Sequence, residues 1–211
     1  MTHASRVDPG YFIIAAVAAL VALVVLALAT RTRTLQQWDD RLEEHAGPHR
    51  ARWRRVAGVA TLTGEKFVHP VIGVVTALAV LLARHGDPLR VLLPLAGASL
   101  GGITVHHLVK FFYHRPRPRV ALLRDKTEAA FPSGHTTNAT AVMVTSAWIL
   151  VHEGLVPLPA AIIAALALCL ATGGSRVALG WHWSTDVIGG WFAGIGISSL
   201  CAWLYEALLL S

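Results

Sequence analysis

The sequence predicts an all-α polytopic membrane protein, a bundle of six transmembrane helices in one domain, on three observations. Hydrophobic residues supply 55% of the chain and charged residues only 14%, giving a mean hydropathy of +0.56, far to the apolar side of a water-solvated domain. The apolar residues gather into six continuous runs, most of them near the roughly 20 residues that cross a bilayer as a helix. These runs are rich in Ala, Leu and Val and lack the short alternating pattern of a closed barrel, so helices satisfy their backbone in lipid. At 211 residues the chain holds such spans and short loops but no further soluble domain, and residues 1–211 read as one unit.

Residues 11–30 form the first run, without a charge. A cleaved signal peptide competes, because Arg6 precedes the run and small residues end it. The run exceeds an h-region of about 7 to 15 residues, so a permanent anchor is expected. Residues 34–55 mix Leu35, Trp38, Leu42 and Trp53 with acids and arginines. An amphipathic segment lying in the membrane interface is expected; a solvated, salt-bridged loop fits comparably, since Gly47-Pro48 interrupts any single helix. The remaining runs are 67–83, 91–112, 136–151, 159–172 (or on to 179) and 187–210. Glu65, Lys66 and His69 at the second run read as a plain helix start, with a lipid entrance as the alternative. Gly97/Gly101 and Gly190/Gly194 have small-xxx-small spacing, expected to serve packing within the bundle rather than dimerisation. The oligomeric state is not legible.

Two chemical classes drop out early. Cys169 and Cys201 sit within apolar runs, which argues against a structural disulfide and a paired-thiol metal site. The net charge of +6 and pI near 10.0 come from basic residues beside apolar runs, where anionic lipid heads, not nucleic acid, are the nearer partner.

Polar clusters beside apolar spans are costly and point to function. Three occur between Lys110 and Asp186: Lys110 to Pro118 ending the third run, Pro132-Ser133-Gly134-His135 before the fourth, and Ser175-Arg176 with His182 and Asp186 between the fifth and sixth. With six alternating helices all three meet on one membrane face. Lys110, Arg117 and Arg176 supply cations suited to phosphoryl oxygens. Ser133 and Gly134 open a helix whose first N–H groups are an anion cradle. Asp186 lies one helical turn past His182, close enough to orient it as a nucleophile, and His135 is placed to protonate a leaving oxygen. Taken singly, each cluster has a duller reading: interfacial anchors, a turn, or a helix-to-helix contact.

Together the motifs resemble the type 2 phosphatidic acid phosphatase superfamily, which includes bacterial phosphatidylglycerophosphate and undecaprenyl-diphosphate phosphatases and vanadium haloperoxidases. Lys, six residues, Arg-Pro falls on Lys110, Arg117 and Pro118; Pro-Ser-Gly-His falls on Pro132 to His135; Ser-Arg, five residues, His, three residues, Asp falls on Ser175, Arg176, His182 and Asp186. The resemblance implies that His182 is phosphorylated, Asp186 orients it, His135 acts as acid then base, and Lys110, Arg117, Ser133, Gly134 and Arg176 bind phosphate. It implies no metal and no other cofactor. The doubled Arg115-Pro116-Arg117-Pro118 departs from the pattern, and Arg115 is expected as a second phosphate or head-group contact. His106 and His107 border the site or form a metal pair, though adjacent residues on a helix face differently. Trp181 and Trp183 read as interface-belt aromatics or walls of a lipid path.

The expected function is hydrolysis of the terminal phosphate of phosphatidylglycerophosphate, undecaprenyl diphosphate or phosphatidic acid; the resemblance to compact six-span bacterial members of the superfamily implies a bacterial plasma membrane and favours the first two. The alternatives are a haloperoxidase holding vanadate and a non-catalytic lipid-phosphate binding or transport protein. Only catalysis needs His182 with Asp186 and also His135. The resemblance implies a cytoplasmic N-terminus and a site on the outer face, so that the loop holding Glu128 is reached from outside. The positive-inside rule conflicts: Arg31, Arg33, Arg41, Arg50, Arg52, Arg54 and Arg55 lie on the site face, against Arg6, Arg84 and Arg90 on the other.

Overall fold

A segment without water around it has to pair each N–H and C=O internally, and the apolar runs accordingly form helices. The computed structural model describes residues 8–65, 67–84, 87–122 and 129–210; Arg6, Lys66 and Glu128 lie outside them. In chain order the helices are α1 (Gly10–Ala29), α2 (Arg33–Ala46), α3 (Arg50–Ala60), α4 (Val68–Arg84), α5 (Pro88–Phe112), the single turn α6 (Arg119–Leu122), α7 (Gly134–His152), α8 (Leu158–Ala178) and α9 (Ser184–Leu210). Helix α5 begins before its apolar run does, because Asp87 accepts a capping bond from the Leu89 N–H at 2.9 Å with Pro88 at the first helical position.

The long helices run alternately up and down. The C-terminal ends of α1, α5 and α8 meet the N-terminal ends of α4, α7 and α9. The Thr30 and Tyr113 hydroxyls share a hydrogen bond of 2.6 Å, the Arg176 Nη1 donates to Thr61 just before α4 at 2.8 Å, and the Ser133 N–H donates to the Asp186 carbonyl at 3.0 Å. All three sequence clusters therefore lie at one end of the bundle.

Among the described residues, α1, α5, α8 and α9 are the four helices long and apolar enough to cross a membrane. Residues 68–83 reach that standard only together with 33–64, from which they are bent by 58°. The expected fourth span, α7, falls short in apolarity because it carries Thr136, Thr137, Thr140, Thr145 and Ser146. Its surroundings supply the reason. Helix α7 packs against α4, α5, α8 and α9, and no residue from Phe131 to Leu150 is exposed. A helix sheathed by other helices does not need lipid-compatible side chains. Helix α1 shows the opposite pattern: Ile14, Val17, Leu20, Val21, Val24 and Val25 all face outward.

Small residues let these helices approach. A Cβ on Gly97 or Gly101 would meet the Cys201 Sγ at 3.4 Å or the Ile197 Cγ2 at 3.1 Å, both on α9. One on Gly190 or Gly194 would collide with Thr136 at 2.8 Å or Thr140 at 2.5 Å on α7. Both glycine pairs thus serve packing inside one chain. Cys169 and Cys201 are buried, unpaired thiols.

Residues 34–55 are neither one helix nor a loop. Helices α2 and α3 join through a 3₁₀ turn at Gly47–His49 and pack over the site end of the bundle, α2 touching α8 and α9 and α3 touching α8. Arg50 forms a salt bridge with Glu43. The buried residue of α2 is the acid Asp39, whereas Trp38 and Trp53 are 44% and 50% exposed.

Candidate active site

The third cluster is built by the way α8 ends. Gly180 takes φ +68, a left-handed conformation that favours glycine. The Gly180 N–H donates to the Val177 carbonyl at 2.8 Å, and the N–H groups of Trp181 and His182 donate to the Arg176 carbonyl at 2.9 and 3.3 Å. This turn seats His182 beside the N-terminal end of α9. There the Asp186 Oδ2 accepts from the Trp183 N–H at 2.9 Å and lies 3.4 Å from the His182 Nδ1. An acid in the first turn also suits the positive end of the helix dipole. The one-turn spacing thus sets the Asp186 carboxylate against the Nδ1 side of the His182 ring.

Six of the eight residues expected in the catalytic and phosphate-binding set line one cavity of about 540 Å³: Lys110, Arg117, Gly134, His135, Arg176 and His182, together with Gly64, Ile103, His106, His107 and Asn138. Lys110 comes from the last turn of α5. Arg117 comes from the extended segment that follows, which the Trp183 Nε1 pins by donating to the Pro116 carbonyl at 2.9 Å and the Ala130 N–H by donating to the Arg115 carbonyl at 2.8 Å. Arg176 stacks on Trp181 at 4.3 Å, so this tryptophan braces a cavity cation. Burial holds the His182 imidazole well below its ordinary value, to about 4, the Asp186 carboxylate opposing and the Arg176 and Arg117 charges reinforcing. The ring is therefore neutral at neutral pH.

Three expectations need correcting. Arg115 does not line this cavity: its Nη1 donates to the Asp186 Oδ1 at 2.7 Å and its Nη2 to the Asp39 Oδ2 at 2.7 Å, committing the guanidinium to two carboxylates. It borders a separate cavity with Arg31, Asp40 and Trp183. Ser133 caps α7 without a side-chain capping bond; its hydroxyl is fully buried and accepts from the Thr136 hydroxyl at 3.0 Å, so Gly134 alone of the cradle pair reaches the cavity. His106 and His107 do not diverge: both line the wall, with ring centroids 4.2 Å apart. The His106 ring sits 3.0 Å from where a Gly134 Cβ would be, and its Nδ1 is 2.7 Å from the Gly102 carbonyl. No group of three or more His, Cys, Asp or Glu placed to hold a metal ion occurs among the described residues.

Four contacts escaped the sequence reading. Asp39 and Thr185 lie behind Asp186, Thr61 bonds Arg176, and the Glu65 carboxylate lies 3.4 Å from the His135 Nε2. Glu65 stood beside the second run but read as a helix start. Asp39 carried no signal beyond being an acid among arginines. His69, the third residue of that group, is buried and is not part of the cavity lining.

The pattern of the PAP2 superfamily matches residues 91–209. The chain is 31% identical to phosphatidylglycerophosphatase B of Bacillus subtilis (strain 168) over 182 residues, 82% of this chain and 85% of that protein. It is 32% identical to undecaprenyl-diphosphatase BcrC of the same organism over 96 residues, 43% of this chain and 46% of that protein. Its fold matches the crystal structure of the transmembrane PAP2 type phosphatidylglycerolphosphate phosphatase from Bacillus subtilis with a TM-score of 0.76 and 28% identity, covering 88% of this chain and 93% of that one. With its long apolar helices and its three motifs gathered at one end of the bundle, the chain is an integral membrane protein that belongs to the PAP2 superfamily.

Proposed function

We propose that this protein is a lipid-phosphate phosphatase that removes the terminal phosphate of a membrane lipid through a phosphohistidine on His182. The observation that carries the proposal is the convergence of three cations with His135 and His182 on one cavity at the end of a membrane bundle. Lys110, Arg117 and Arg176 hold the equatorial oxygens of the phosphoryl group, with the Gly134 N–H at the helix start. The neutral His182 Nε2 attacks phosphorus while Asp186 steadies Nδ1. The bond from phosphorus to the lipid oxygen breaks, and His135 delivers a proton to that oxygen. Water then attacks the phosphoenzyme, His135 takes its proton, the phosphorus–nitrogen bond breaks and inorganic phosphate leaves. Charge stabilisation comes from side chains, so no metal is required.

The similarity to phosphatidylglycerophosphatase B over most of both chains favours phosphatidylglycerophosphate as substrate, ahead of undecaprenyl diphosphate and phosphatidic acid. In the bilayer we read six spans, α1, α4, α5, α7, α8 and α9, with α7 crossing inside the sheath of the others. Helices α2 and α3 lie at the interface. The site faces outward from a bacterial plasma membrane, despite the arginines of α2 and α3. Purified protein in detergent, offered the three lipids side by side with EDTA present, should release phosphate fastest from phosphatidylglycerophosphate. Release that returns only on adding a divalent ion, or none from any lipid, would overturn the reading.

A further inference from the structure

Behind His182 runs a buried chain of charges that extends beyond the three motifs. Arg115 divides its guanidinium between the Asp186 Oδ1 and the Asp39 Oδ2, each at 2.7 Å. It also donates to the Thr185 hydroxyl at 2.6 Å. Asp39 accepts from the Ser184 and Thr185 hydroxyls and from the Thr185 N–H. The side chains of Arg115, Asp39 and Asp186 are 8%, 1% and 0% exposed. A docking contact for α2 would cost less with an apolar residue, because burying a carboxylate is expensive unless its partners are complete. Here they are complete, and the chain leads to the imidazole.

We infer that Asp39 and Arg115 are positioning residues for the nucleophile. Arg115 fixes Asp186 in the rotamer that orients the His182 Nδ1. Asp39 holds the far half of the guanidinium, so that Arg115 does not draw the Asp186 carboxylate away from the imidazole. Two carboxylates sharing one guanidinium keep a net negative charge behind the ring, which supports the positive charge that forms on His182 as it is phosphorylated. The role rests on the reading of His182 as nucleophile. It also brings α2, which lies outside the matched family pattern of residues 91–209, into the assembly of the site.

The test uses the whole chain in detergent, in a His135→Ala background where the phosphoenzyme is expected to accumulate, with p-nitrophenyl phosphate and rapid alkaline quench, which preserves a phosphorus–nitrogen bond. Asp39→Asn should slow phosphoenzyme formation about tenfold and Arg115→Gln about a hundredfold, the range seen when groups that orient a reacting ligand are removed. The final phosphoenzyme per folded protein and the half-saturating substrate concentration should be kept. The double variant should be no slower than Arg115→Gln alone, because the two act as one unit. Should Arg115→Gln not fold, Arg115→Lys keeps the charge but not the fork and should be about tenfold slow. A merely structural role would lower the amount of phosphoenzyme and leave its rate constant unchanged, which would overturn the proposal. If the His135→Ala background alone forms no phosphoenzyme, the histidine mechanism falls, and the positioning role with it.

Discussion

The two histidines of the site occupy opposite kinds of surroundings. His182 and Asp186 have side chains 2% and 0% exposed, with Arg115 and Asp39 stacked behind them. The side chains of His135 and its neighbour Glu65 are 29% and 41% exposed, and Glu65 follows the 3₁₀ turn at Thr61–Gly64. A nucleophile gains from being fixed, dry and neutral. A group that gives and then takes a proton has to exchange with water. The difference in burial fits the roles proposed for the two histidines, and each expectation below sharpens or breaks that contrast.

The largest effect belongs to His182→Ala, which should remove turnover on every substrate by more than about a thousandfold, since on the proposed mechanism no other described group of the three clusters is oriented to take the phosphoryl group. Initial rates on a lipid phosphate and on p-nitrophenyl phosphate check this; a variant retaining a tenth of its activity on either would end the assignment. His135→Ala should lose about a hundredfold to ten-thousandfold on lipid phosphates, whose alkoxide needs a proton, but distinctly less in the first step with the aryl phosphate, whose leaving group needs little help. Equal losses on both would contradict an acid role.

The next expectation concerns pH. The folded pKa of His182 is lowered to about 4, so its neutral, nucleophilic form is present above that value and is lost as pH falls through it. At pH 5.5 an ordinary imidazole is about nine-tenths protonated. Phosphoenzyme formation from the aryl phosphate should nevertheless keep most of its neutral-pH rate there. Loss of the reaction near pH 6.5 would show that the imidazole is not held neutral. The smallest effect is expected at the exposed edge. Glu65→Gln should change lipid turnover only about threefold, as for one partly screened charge. A hundredfold loss would mean that the His135 side is as tightly organised as the His182 side. Separately, a Glu44→Cys substitution on α2, with both native cysteines buried, should be labelled by an impermeant thiol reagent from outside intact cells. Labelling only after permeabilisation would reverse the orientation.

The same division explains what could be read from the residues. Apolar runs are local, so the course of α1, α5, α8 and α9 was legible within a few residues. Helix α7 was legible as a run but not by its apolarity as a span, because its polar side chains are tolerated only by neighbours distant in sequence. His182, Asp186, Lys110, Arg117 and Arg176 were legible because their spacing encodes geometry within one turn or one loop. Asp39 and Glu65 were not, since they reach the site across 146 and 70 residues of chain. Arg115 was visible but misread: nothing local indicates that α2 delivers a carboxylate to it. The expectation for Ser133 failed for a related reason, since Thr136 and the Asp186 backbone claim it first.

The most direct test is rapid alkaline quench of the His135→Ala variant with p-nitrophenyl phosphate, which preserves a phosphorus–nitrogen bond, followed by locating the label. A burst of nitrophenol with an accumulated, acid-labile phosphoenzyme carried on His182, absent from His182→Ala, is the expected result. No burst and no phosphoenzyme, or phosphate found on another residue, would contradict the division of labour between the buried and the half-buried histidine.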